Sequence, residues 1–128
     1  MNSEFQSLNP MKSYDEVHLE EGLLSVDIYV KDNELVIVAP IAGSSKENIE
    51  IIVKGDILMI KGERFPPENV EETYYKKKEC YWGPFSRSIV LPRDVDKSNI
   101  RAFYENGILM VRIPKLYGFE ETKKISIE

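Results

Sequence analysis

The sequence predicts an all-β fold in which two sheets pack face to face as a sandwich. Three observations carry that prediction. Apolar residues recur with a period of two, the period of a strand with one face buried. Apolar-rich runs flank the pairs Gly55-Asp56 and Asn106-Gly107, and Asn-Gly between alternating runs is the strongest short-range hairpin signal. Seven or eight such runs fit into about 90 residues with almost no helical pattern between them, which is the spacing of a sandwich.

Taken in order, Leu24 to Val30 alternates strictly, and Glu34 to Ala39 is a β-branched run suited to a buried strand. Lys31-Asp32-Asn33 between them has turn chemistry. Ser44-Ser45-Lys46-Glu47 has capping-box spacing and predicts one turn of helix. Ile49 to Lys54 and Ile57 to Lys61 form the hairpin around Gly55-Asp56. From Arg64 to Glu79 the alternation stops, and the segment carries Pro66-Pro67, many Glu and Lys residues and Tyr74-Tyr75. So long a break inside a compact domain is usually functional or disordered. Phe85 to Leu91 is the next strand, closed by Pro92, and polar Asp94 to Asn99 has room for one helical turn. Ile100 to Tyr104 and Ile108 to Ile113 make the second hairpin, Pro114 stops it, and Lys115 begins a charged tail.

The tail ends in Ile125-Ser126-Ile127. In extended chain, residues i and i+2 point the same way, so the two isoleucines can enter neighbouring holes on one surface. The alternative is an edge strand that folds back on its own sheet.

Composition narrows the function. With 128 residues the chain suits one domain with short arms, and 42% hydrophobic with 30% charged residues is a soluble globular balance. No apolar run approaches the ~20 residues of a membrane span, and the polar, acidic stretch from Met1 to Glu21 does not read as a secretion signal. A net charge of −5 argues against nucleic acid as a partner. The single cysteine, Cys80, forms no internal disulfide framework and fits a cytoplasmic location. Neither a phosphate loop, nor metal-ligand spacing, nor a nucleophile beside a histidine is visible; His18 stands alone and Glu71-Glu72 belongs to a charged loop. No enzyme activity, metal or cofactor is expected.

Three segments together resemble a known family. Phe85-Ser86-Arg87-Ser88-Ile89-Val90-Leu91-Pro92 with Asp94-Val95-Asp96 resembles the middle signature of the alpha-crystallin domain of small heat-shock proteins. Ala102-Phe103-Tyr104-Glu105-Asn106-Gly107-Ile108-Leu109, with Val111 and Pro114, is similar to its second signature, A-x-x-x-N-G-V-L-x-V-x-x-P. Gly55 to Arg64 is similar to its L-x-I-x-G-E-R hairpin. Where bacterial members carry an acidic-Leu-Pro-Gly segment, this chain has Pro40-Ile41-Ala42-Gly43.

The resemblance implies an immunoglobulin-like β-sandwich over residues 23–115, with an N-terminal arm at 1–22 and a tail at 116–128. It implies that Ile125 and Ile127 dock in a groove between two strands of a neighbouring subunit. Here that groove would be lined by Ile49, Ile51, Val53, Ile100 and Ala102, with ordinary sandwich core as the alternative. It implies a dimer formed by strand exchange, with Thr73, Tyr74 and Tyr75 reaching the partner near Ser25–Tyr29 and Arg87 at or near the contact. The alternatives are a solvated loop and a solvated arginine. Tyr81 and Trp82 with Gly83-Pro84 are expected to fix the start of the next strand.

The function implied is that of an ATP-independent holdase chaperone. Its partners would be unfolded or partly unfolded client proteins and further copies of the chain, as homodimers built into a homo-oligomer. Apolar client-binding surface is expected from the groove and from Phe5, Leu8, Met11, Val17, Leu23 and Leu24. A co-chaperone-type sandwich module and a non-catalytic scaffold are the alternatives.

Overall fold

The computed structural model describes residues 22–116 and 124–128. Two four-stranded sheets form the predicted sandwich. Strands β1 (Gly22–Leu23), β6 (Gly83–Val90), β5 (Ile57–Arg64) and β4 (Ile49–Lys54) follow one another across the first sheet. Strands β2 (Asp27–Lys31), β3 (Glu34–Pro40), β8 (Ile108–Pro114) and β7 (Arg101–Glu105) make the second. All pairings are antiparallel except that of the short β1 with β6.

Turn chemistry explains the hairpins. Lys31 pairs with Glu34 and Glu105 with Ile108, leaving two-residue loops at Asp32-Asn33 and Asn106-Gly107. All four loop residues have positive φ, the backbone of a type I′ turn whose twist matches the strands it joins. The run from Leu24 to Val30, expected as one strand, is broken. β1 ends at Leu23 and β2 begins at Asp27, because the chain crosses here from one sheet to the other. Leu24 is 2% exposed and belongs to the core. It is therefore not client-binding surface, whereas its neighbour Leu23 faces solvent.

The core fills the space between the sheets. Leu35, Ile37, Val111 and Ile113 from one sheet meet Leu58, Ile60, Phe85 and Ile89 from the other, with Ile41, Leu91 and Val95 sealing the ends from connecting segments. Both expected helical turns form as single 3-10 turns, at Lys46–Asn48 and Lys97–Asn99. Asp96 caps the second, accepting from the Ser98 amide at 3.1 Å. The first lacks the capping box: Ser45 makes no side-chain cap and instead accepts from Asn48 Nδ2 at 2.8 Å.

Candidate functional site

One long side of the sandwich is bounded by the edge strands β4 and β7. The Lys97 ammonium, just before β7, donates to the Gly55 carbonyl in the β4–β5 turn at 3.0 Å, which holds the two edges along the same side. Register decides which way their side chains point. Ile51 lies opposite Ile60 and Val53 opposite Leu58, while Ala102 lies opposite Val111; all three partners are fully buried. Residues directly opposite share a sheet face, so Ile49, Ile51, Val53 and Ala102 point towards the interior. Ile49, Ile51 and Ile100 are half-buried against the core, yet Val53 is 37% exposed and Ala102 is also exposed. Inward-facing side chains that still meet solvent, Val53 and Ala102, leave this side of the sandwich partly open, with Ile49, Ile51 and Ile100 half-buried beside them. Tyr104 braces one wall, its hydroxyl donating to the Ile41 carbonyl at 2.6 Å.

The opposite side has a second open edge, which sequence reasoning located only by analogy. All five residues of β2 are exposed. Ile28 and Val30 lie opposite the buried Ile37 and Leu35 and so face inward, but remain 46% and 57% exposed. Alternation around Asp27–Lys31 contains that signal, once it is known that β2 is an edge. Arg87 faces inward on β6, opposite Ile60. It is half-buried and its Nη1 donates to the Leu24 carbonyl at 2.8 Å. That carbonyl partner supports a guanidinium that would otherwise be costly to hold among apolar neighbours.

The long loop, residues 65–82, connects β5 to β6. In the single chain, Thr73–Tyr75 does not form the short strand expected of it against a partner. Glu72–Tyr74 is a 3-10 turn, closed by Tyr74 N–H to Glu71 O at 3.0 Å and Tyr75 N–H to Glu72 O at 3.2 Å. A strand needs an edge to pair with, and within one chain these backbone groups are satisfied locally instead. Thr73 and Tyr74 are exposed and Tyr75 is half-buried. The Lys78 ammonium pairs with Glu72 and stands 4.8 Å from the Tyr75 ring centre. Cys80 is exposed in the same loop.

Both feet of the loop rest on the Pro40–Gly43 segment. The Phe65 amide donates to the Gly43 carbonyl at 2.7 Å, and Arg64 Nε donates to the Ala42 carbonyl at 2.8 Å. Gly43 has φ +82°, and a Cβ there would stand 2.9 Å from both Arg64 Cγ and the Trp82 ring. Only glycine fits that backbone and that space. Tyr81 and Trp82 thus do pack at the start of β6, where the Tyr81 hydroxyl donates to the Pro84 carbonyl.

In the tail, Ile125 is 80% exposed and Ile127 is 99% exposed, so the chain's own described residues cover neither. Among the described residues, no three metal-ligating side chains converge and no helix is long and apolar enough to cross a membrane.

Two packed four-stranded sheets with a long loop between the fifth and sixth strands make an alpha-crystallin-type sandwich, and the Ile-x-Ile tail follows it. The chain belongs to the Hsp20/alpha crystallin family, whose profile it matches over residues 27–128. It is 34% identical over 112 residues to small heat shock protein C4 of Rickettsia felis, covering 86% of this chain and 68% of that one. Over 99% of its own length and 94% of the relative's it is 30% identical to heat shock protein HSP.16.4 of Streptococcus thermophilus. The crystal structure of a small heat-shock protein from Xylella fastidiosa superposes with a TM-score of 0.71 at 29% identity, over 84% of this chain and 98% of that one. Membership supports a chaperone role.

Proposed function

We propose that this chain is an ATP-independent holdase that binds unfolding proteins and keeps them from aggregating, and that it assembles as dimers into larger oligomers. One observation carries the proposal: each side of the sandwich leaves inward-facing apolar residues open to solvent, while the same chain carries exposed apolar segments of matching size. The mouth lined by Ile49, Ile51, Val53, Ile100 and Ala102 suits the Ile125–Ile127 pair of a neighbour, since Ala102 leaves room for a visiting side chain. Burying two isoleucines is worth about 3–6 kcal/mol before ordering costs, a strength that allows release as well as capture. The free edge of β2 suits a partner's Thr73–Tyr75 segment, which would exchange its local 3-10 bonds for strand pairing, with Arg87 beside the contact. An unfolding client exposes apolar surface and unpaired backbone of the same kind, so the mouths that hold the assembly together would hold clients when vacated. Binding would be weak per site and multivalent, in the cytoplasm.

The test is light scattering of a heat-unfolded client protein with and without this chain, in the absence of ATP. Suppression at about one subunit per client is expected. Full aggregation beside folded, assembled protein would overturn the proposal and favour a co-chaperone module or scaffold.

A further inference from the structure

Asp94 is the one buried charged residue among the described residues, at 8% exposure. One of its oxygens, Oδ2, pairs with the Lys115 ammonium. The other, Oδ1, is shut off from solvent with no hydrogen-bond partner. Backbone bonds surround the pair. The Leu116 amide donates to the Asp94 carbonyl at 2.8 Å, the Lys115 amide to the Asn33 carbonyl at 3.0 Å, and the Asp96 amide to the Pro114 carbonyl at 2.7 Å. Val95 and Lys115 form a bridge outside the sheets.

A half-satisfied buried carboxylate depends heavily on its one charged partner. Should Lys115 withdraw, the charge would be left buried and unpaired, which is far costlier than losing a surface ion pair. Lys115 is also the first residue beyond β8 and the root of the tail. We propose that Asp94 is the positioning residue for the tail: it moves the point of departure from the end of β8 out to Leu116 and fixes the direction in which the tail leaves. Ile125 then lies nine positions beyond the root, a reach of at most about 32 Å. Without the latch, Pro114 becomes the root, Ile125 lies eleven positions beyond it, and the reach grows to about 40 Å with no set direction. This inference rests on the proposal that Ile125 and Ile127 plug a neighbour. Under it, tether length and direction select which neighbours can be reached, and so the range of assembly sizes.

The experiment compares the full-length chain with Asp94→Asn, Lys115→Met, the double variant and Lys115→Arg. It reads amide hydrogen exchange at residues 115 and 116 and the oligomer mass distribution by native mass spectrometry. Either single loss of charge should accelerate exchange at both amides about tenfold or more and broaden the mass distribution. The double variant should exchange no faster than the faster single, because one latch has been broken twice, and Lys115→Arg should keep native behaviour. Unchanged exchange in Asp94→Asn, or fast exchange with a native mass distribution, would overturn the inference. Ile125→Ala with Ile127→Ala serves as the control. If that variant keeps its native mass, tail plugging itself fails, while the exchange rates still report on the latch.

Discussion

Glu34, on the outer face of β3, shows how single residues tune this sandwich. Its carboxylate bridges Arg101 Nη2 and Arg112 Nη1, both at 3.0 Å, joining β3 to β8 and β7. Burial alone would raise its pKa, but hydrogen bonds and charge from the two arginines outweigh that and hold it below the ordinary 4.5. A lowered carboxylate pKa contributes stability that is present above the ordinary value and is lost as pH falls through the folded one. Glu34→Gln should therefore melt lower than the native chain near neutral pH, and the two melting curves should converge below about pH 4.5. A gap that stays constant across the titration would argue against this account. Gly62 is limited by space instead: an added Cβ would stand 2.5 Å from Phe85 Cζ and 2.8 Å from the Asn48 carbonyl. Gly62→Ala should cost about 1–3 kcal/mol by overpacking, readable as a lower denaturant midpoint with an unchanged slope. Sequence reasoning reached Gly62 only as one letter of a family motif. It missed the Asp94–Lys115 pair and the Tyr104 hydroxyl bond, because long-range polar partners leave no periodic trace.

Among the elements, the two-residue hairpins were the most legible, since their positive-φ residues are chemically distinctive. The crossing between β1 and β2 was not, because Leu24 to Val30 alternates correctly through a change of sheet. The long loop was legible as an interruption but not as a conformation, since the local bonds of its 3-10 turn leave no periodic trace. Its role is nonetheless open to test. Removing residues 67–75 deletes the exchange segment and leaves the Arg64, Phe65 and Trp82 feet on the Gly43 turn. The shortened chain should sediment as a folded monomer. A surviving dimer would place the dimer contact elsewhere, with Arg87 as the next residue to substitute.

At the scale of the whole molecule, the proposed function makes the sandwich a part with two sockets and two plugs. The inward face of β4 was legible residue by residue, because alternation alone assigns Ile49, Ile51 and Val53 to one face. That it stands open was not, since exposure at an edge depends on what the opposite sheet fails to cover. Replacing Ile125 and Ile127 with Ala should reduce the assembly to dimers in multi-angle light scattering, and native mass would count against tail docking. Together with the loop deletion this would order the contacts, with the loop making the dimer and the tail joining dimers.

The edge strands carry one further consequence, for the subunit between partners. β2 reads Asp27-Ile28-Tyr29-Val30-Lys31 and β7 reads Arg101-Ala102-Phe103-Tyr104-Glu105, each an apolar centre with opposite charges at its two ends. Stacking identical copies in parallel register, as a cross-β fibril does about every 4.7 Å, would set Asp27 on Asp27 and Lys31 on Lys31, with the same clash at Arg101 and Glu105. Like charges directly opposite are destabilising, whereas a strand of different sequence, or one running antiparallel, meets no such repulsion. The charge pattern of these two open edges thus disfavours in-register parallel stacking of identical copies.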